Sequence, residues 1–178
     1  MLRPRFITVA ALIIAAAATR LLPHPLNFAP VTAIALFGGT KFANTRLAFL
    51  VPFLAMLLSD FVLGFHPTMP FVYGSFALIV CLGIMLRRRP NILPIAGAAL
   101  SGSALFFIVT NFGFWMMGSD YPKTIAGLTA CYVSAIPFFQ NTLLGDAVYT
   151  SLLFGTFAIA EMLFPVLREQ PVEAITSR

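Results

Sequence analysis

Long apolar runs alternate with short polar breaks along the whole chain. About 20 helical residues cross the ~30 Å hydrocarbon layer of a bilayer, and most of the runs are close to that length. The pattern therefore predicts an all-α membrane protein with six transmembrane helices, formed by one domain over residues 1–178. The predicted spans are residues 6–22, 30–42, 47–64, 71–86, 92–117 and 142–164. The less apolar stretch 124–139 predicts a helix that lies at the membrane interface.

The second span is the shortest, because its 13 residues would extend only ~20 Å at 1.5 Å per residue. The positive-inside rule favours a full crossing, since a re-entrant segment would move Arg87, Arg88 and Arg89 to the outer side. With six crossings, both termini and nine of the eleven basic residues are predicted to be cytoplasmic. These nine are Arg3, Arg5, Lys41, Arg46, Arg87, Arg88, Arg89, Arg168 and Arg178.

Composition agrees with the pattern, because 60% of the residues are hydrophobic, 10% are charged and the mean hydropathy is +0.94. These values exclude an ordinary water-soluble domain. The formal net charge of +5 comes from basic residues that sit between the apolar runs. It therefore reports membrane topology and does not indicate the clustered basic face of a nucleic-acid-binding protein.

Polar residues collect in the half of the predicted bundle that faces outward. Asp60 lies near the outer end of the third span and Asp146 about one turn into the sixth, and each carboxylate is costly inside a membrane. Helix capping and interfacial solvation explain any one of them, whereas the whole set favours an outward-opening ligand pocket. The remaining members of the set are His24, Asn27, His66, Asn111, Gln140 and Asn141.

One face of the fourth span is predicted to carry mostly small residues. Tyr73, Gly74, Ala77 and Cys81 fall at helical spacing, which suggests a groove with Tyr73 at its mouth and Cys81 at its floor. A buried cysteine is ordinarily an inert small hydrophobe. A metal delivered by a ligand would change that, because coordination deprotonates the thiol. The other cysteine, Cys131, has no comparable face and receives no predicted role.

The first span contains a pair of small residues, Ala11 and Ala15, at a spacing of four. Such pairs let two helix backbones approach closely in lipid. The pair is equally compatible with docking to another membrane protein and with packing inside the same bundle.

Three stretches carry a family resemblance: RLLPHPLNFAP (20–30), LLSDFVLGFH (57–66) and FVYGSFALIVCLG (71–83). They resemble a group of small transport proteins that are similar to the substrate-binding S-components of energy-coupling factor transporters. Within that group the chain looks most like the BtuM family of vitamin B12 transporters, with Cys81 matching the family's cobalt-ligating cysteine.

The resemblance implies an S-component-like six-helix bundle in a bacterial cytoplasmic membrane, with a pocket that opens to the outside. It implies that cobalamin is the substrate, that Cys81 is an axial ligand of its cobalt, and that this cysteine assists removal of cyanide from cyanocobalamin. It also implies that Ala11 and Ala15 resemble the surface on which S-components dock a membrane coupling subunit. Solitary members of the group are thought to work without such a partner.

Three alternatives remain open at this point. The same scaffold could carry another small molecule, or an ion- or proton-coupled carrier could use Asp60 and Asp146. A membrane-embedded enzyme for a lipid or thiol substrate is the third, although no motif pairs a nucleophile with a base.

Overall fold

The computed structural model describes residues 4–88 and 90–168, and Arg3, Arg89 and Arg178 of the predicted topology lie outside these ranges. The described chain is helical and contains six α-helices. Two short 3-10 helices, Thr19–Leu21 and Pro165–Leu167, follow the first and the last of them. The α-helices are α1 (Pro4–Ala18), α2 (Val31–Lys41), α3 (Thr45–Leu63), α4 (Met69–Leu86), α5 (Ile92–Met117) and α6 (Ile125–Leu163).

Five helical stretches in the described chain are long and apolar enough to cross a membrane, and α2 is not among them. At 1.5 Å per residue, the 19 residues of α3 and the 18 of α4 extend about 28 and 27 Å, which matches the hydrocarbon layer. The 11 residues of α2 extend only about 17 Å. The all-helical fold with several helices of membrane-spanning length is confirmed, while a sixth crossing stays a prediction.

The short helix α2 forms the centre of the bundle. Its residues from Val31 to Thr40 are all buried, and the helix contacts each of the five other α-helices. A helix that is apolar on every side belongs in such an interior position.

A close helix crossing in the core joins α2 to α4 through Gly39 and Gly83. A Cβ on Gly39 would lie 2.8 Å from the Gly83 Cα and closer still to the Val80 carbonyl oxygen. The Thr40 hydroxyl also lies 3.2 Å from the Gly83 carbonyl oxygen across this crossing. The glycine in α2 therefore permits backbone contact between the two helices.

The sixth helix differs from its prediction. Residues 124–139 were predicted as a separate interfacial helix before a span at 142–164, but the structure has one continuous helix from Ile125 to Leu163. Its 39 residues extend about 58 Å, roughly twice the hydrocarbon thickness. Pro137 lies inside it, where proline removes one backbone hydrogen bond without ending the helix.

The two ends of the described chain meet at one end of the bundle. Arg5 of α1 forms an ion pair of 2.6 Å with Glu161 of α6 and donates a hydrogen bond of 2.7 Å to the Leu167 carbonyl oxygen. Lys41, at the end of α2, lies 3.8 Å from the same Glu161 carboxylate. We call Arg5, Lys41 and Glu161 the charged cluster. It ties α1, α2 and α6 together.

Candidate functional site

A cavity of about 630 Å³ lies at the end of the bundle opposite the charged cluster. It forms where α1 and α3 end and where α2 and α4 begin, with α5 and α6 completing the wall. Aromatic side chains of α5 and α6, including Phe106, Phe107 and Phe138, supply much of its apolar surface.

The structure brings five of the predicted site residues into the wall of this cavity. They come from the α1–α2 loop, the α3–α4 loop, α5 and α6, which are far apart in sequence. These residues are His24, Asn27, His66, Asn111 and Asp146. The predicted gathering of polar groups at one end of the bundle is therefore present for this subset.

Asp60 and Tyr73 belong to an ion-pair network and do not line the cavity themselves. Asp60 is 4% exposed, and its carboxylate forms an ion pair of 2.6 Å with Arg20. The Tyr73 hydroxyl donates a hydrogen bond of 2.6 Å to the other carboxylate oxygen. Arg20 also donates to the Ser59 hydroxyl and lines the cavity. The two predicted residues thus lie one layer behind the wall and hold Arg20 in place.

Asn141 is likewise outside the wall and fixes the α1–α2 loop. Its side-chain amide donates a hydrogen bond of 3.0 Å to the Leu26 carbonyl oxygen. One turn later, Gly145 packs so closely on this loop that an added Cβ would lie 3.2 Å from the Ala29 nitrogen. Asn27 has a φ of 63°, a left-handed conformation that asparagine tolerates better than most residues. The loop is therefore anchored on α6 while it presents His24 and Asn27 to the cavity.

The small-residue face of α4 points away from the cavity. Gly74 is exposed, and a Cβ added there would meet no atom within 4 Å. Ala77 is partly buried, while Cys81 is exposed, and neither lines the cavity. In this structure the predicted groove with Cys81 at its floor does not connect with the cavity. Cobalt ligation by Cys81 stays a prediction.

Three wall residues that matter were not predicted as site residues, namely Arg20, Thr32 and Cys131. Cys131 is 2% exposed, and its thiol lies 3.6 Å from the Asn111 carbonyl oxygen. The missing signal is a helical spacing in α6, because Cys131, Ala135 and Phe138 repeat at intervals of four and three. The face continues through Thr142 to Asp146, and the predicted break between residues 139 and 142 separated Cys131 from it.

Asp146 occupies a polar niche in the cavity wall. Its carboxylate is 2% exposed and lies 2.6 Å from the Ser103 hydroxyl of α5. The side chain and backbone N–H of Thr32, in the first turn of α2, also interact with it. Asp146 therefore joins α6 to α5 and supplies an acceptor to the N-terminus of the central helix.

Within the described ranges, no three His, Cys, Asp or Glu side chains come together in a way that could hold a metal ion. The protein residues that the structure describes thus form no resident metal centre.

The first-span pair is on the surface of the bundle. Ala11 and Ala15 are both exposed, whereas Ile13, Ala16 and Ala17 of the same helix are buried. The pair therefore does not pack inside the bundle in this structure.

Comparison with known proteins finds a family model, described as a family of unknown function (DUF6580), that matches residues 1–167. The chain belongs to this family. No curated protein matches the chain, and no solved structure matches it. The family match covers almost the whole chain but assigns no activity. The cavity is therefore the feature of the protein that points to a function.

Proposed function

We propose that this DUF6580 protein is a membrane carrier that captures a small molecule in the cavity as the first step of transport. The cavity volume of about 630 Å³ supports this, because small-molecule pockets commonly measure ~300–1,000 Å³. Its place at one end of a bundle with five helices of membrane-spanning length is the observation that carries the proposal.

The distribution of side chains supports a ligand of mixed polarity. Phe106, Phe107 and Phe138 form an aromatic region on α5 and α6, whereas His24 and His66 come from the two loops at the same end. A few polar groups in a mostly apolar wall orient a ligand, and the apolar contacts provide most of the burial.

The arrangement favours binding over enzyme chemistry. The Cys131 thiol is directed at a carbonyl oxygen of Asn111, and none of the described residues places a base in hydrogen-bond contact with it. His24 Nδ1 is bonded to the Pro25 carbonyl oxygen. His66 Nδ1 lies 2.8 Å from the Thr68 hydroxyl, but no carboxylate among the described residues bonds to this ring to complete a nucleophile–base–acid arrangement.

Cobalamin is the first ligand to test, and the resemblance to the BtuM family supports it. The cavity has the size of a site for a drug-sized molecule, so we expect a corrinoid to extend beyond its mouth. Cys81 is exposed on the surface of α4, outside the wall, while Cys131 is in the wall. The two cysteines therefore form a matched pair for testing cobalt ligation.

The visible spectrum of protein purified with cobalamin tests this ligand. Ligation by Cys81 predicts retained pigment with a shifted spectrum, loss of the shift in Cys81→Ser, and no change in Cys131→Ser. Retained pigment that is indifferent to Cys81 would support capture without thiolate ligation. Protein that is colourless under all conditions would contradict cobalamin as the substrate and leave the cavity open to another ligand.

A pair of tryptophan substitutions on α6 tests capture by the cavity itself. Ala135 lines the cavity and Ala147 is exposed outside it, so Ala135→Trp fills the cavity while Ala147→Trp adds the same ring elsewhere on the helix. A solute panel that includes cobalamin should raise the unfolding temperature of the wild type and Ala147→Trp, but not of Ala135→Trp. Equal shifts in all three proteins would place the binding elsewhere.

We also propose that the membrane is the bacterial cytoplasmic membrane, with the charged cluster inside and the cavity outside. Ser134 is exposed and lines the cavity, and the chain has two natural cysteines that can be replaced. In a cysteine-free background, a membrane-impermeant thiol reagent should label Ser134→Cys in intact cells. Labelling only in inverted vesicles would reverse the orientation.

The exposed Ala11 and Ala15 support a proposed docking surface for a membrane coupling subunit. Replacing both with leucine should prevent co-purification of such a subunit and leave ligand-induced stabilisation unchanged. A coupling subunit that still co-purifies with the double variant would contradict this surface.

A further inference from the structure

The two buried carboxylates, Asp60 and Asp146, differ in whether a cationic side chain is paired with them. Asp60 has a guanidinium partner, because Arg20 lies 2.6 Å from it. Asp146 is just as buried, but no Lys, Arg or His of residues 4–88 and 90–168 forms an ion pair with it. A buried carboxylate without a cationic partner is costly as an anion and is commonly relieved by taking up a proton.

Opposing contributions act on the Asp146 carboxyl group. Thr32 provides a hydroxyl and a backbone N–H from the first turn of α2, and a helix N-terminus favours negative charge. Burial at 2% exposure and the missing cation favour the neutral acid. The niche is therefore suited to both protonation states.

The Ser103 hydroxyl provides a mechanism for exchange between these states. Its oxygen lies 2.6 Å from Asp146 Oδ2 and 2.9 Å from the Ala99 carbonyl oxygen, yet a hydroxyl has one proton to donate. When Asp146 is ionised, the hydroxyl donates to the carboxylate. When Asp146 carries a proton, Oδ2–H donates to the hydroxyl oxygen, and the hydroxyl donates to Ala99.

We infer that Asp146, with Ser103 and Thr32, is a proton-binding site in the wall of the cavity. The inference rests on the proposed function only in taking the cavity as the route by which the proton arrives. A proton enters from the cavity, binds Asp146 Oδ2, and rotates the Ser103 hydroxyl without moving a helix. Asp60 is not part of the site, because its charge is balanced by Arg20.

Other ionisable groups share the cavity. They are Arg20, His24, His66, Tyr121 and Cys131. Infrared spectroscopy separates them from the site, since none of their side chains contains the carbonyl of a protonated carboxyl group. The chain has six Asp and Glu residues in all, so a single-residue assignment by substitution is practical.

The test is an infrared pH titration of ligand-free protein in detergent. The wild type and Asp60→Asn should show a buried carboxyl band that appears as the pH is lowered, and Asp146→Asn should lack it. Ser103→Ala keeps the carboxyl group but removes its partner, so it should shift both the band and its titration midpoint. Because Ser103→Ala retains Asp146, it also serves if Asp146→Asn does not fold.

A band that persists in Asp146→Asn, or that is unchanged in Ser103→Ala, would overturn the inference. So would the absence of any titrating buried carboxyl band in the folded wild type. The titration uses no ligand, so its failure is distinguishable from a failure of small-molecule capture, which the tryptophan pair measures separately.

Discussion

In the buried Arg20–Asp60 ion pair each charge compensates the other, so losing either partner destabilises the fold. Asp60→Asn would remove the carboxylate partner of Arg20, whose side chain is only 13% exposed. Removing one partner of a buried pair costs ~3–5 kcal/mol, and we expect about 2–4 kcal/mol here because Arg20 faces the cavity. Thermal or denaturant unfolding in detergent measures this loss.

Two further variants provide controls for that prediction. Tyr73→Phe removes a hydrogen bond to the charged Asp60 carboxylate but keeps the ion pair, so it should cost about 1.5–3 kcal/mol, no more than Asp60→Asn. Combining Arg20→Gln with Asp60→Asn removes both charges and should recover part of the loss. An Asp60→Asn protein as stable as the wild type would show that the pair is not needed for folding.

The predicted site residues differ in how far the sequence determines their positions. His24, Asn27 and His66 were predictable because polar residues between apolar spans must gather at a bundle end. The exposure of Cys81 was harder to predict, since small residues occur both on lipid-facing and on packed helix faces. Spacing shows that Gly74 and Cys81 share a face, but only the positions of the neighbouring helices show which way it points.

Among the helices, the α2–α4 crossing leaves no room for a side chain at Gly39. Gly39→Ala places a methyl group against the backbone at Val80 and Gly83, which cannot move as a flexible side chain would. Overpacking usually costs ~1–3 kcal/mol, and we expect the upper part of that range. Unfolding measurements should show this loss, while the matched change Gly155→Ala, at a site open to 4 Å, should not destabilise the protein.

An unchanged stability for Gly39→Ala would contradict the close crossing. Glycine is a poor helix former, so Gly39 by itself weakens the short helix α2. The structure gives the compensating reason, since only glycine permits this backbone approach. The sequence also failed to predict that α6 is continuous, because Pro137 and the polar residues 140–141 resemble a helix boundary. In the structure Asn141 stays within the helix and donates a hydrogen bond to the α1–α2 loop.

At the scale of the whole molecule, the cavity and the charged cluster occupy opposite ends. A carrier that releases its ligand toward the charged end has to loosen the contacts among α1, α2 and α6. Glu161→Gln removes the carboxylate that Arg5 and Lys41 share. Because these side chains are partly exposed, we expect a stability loss of only about 1 kcal/mol.

The more informative effect of Glu161→Gln is local opening. Hydrogen exchange at the start of α1 and the end of α6 should become faster, with little change around the cavity. Asp120→Asn, in the exposed α5–α6 loop, is the control and should leave both regions as they are. Exchange that does not respond to Glu161→Gln would show that the charged cluster does not hold this end closed.

Mass spectrometry of compounds that co-purify with the protein shows whether the cavity holds a small molecule. If it does, one compound is enriched with the wild type and with Ala147→Trp and is lost from Ala135→Trp. Recovery of the same compounds from all three proteins would contradict capture by the cavity. So would recovery of no compound beyond those that co-purify with an unrelated membrane protein.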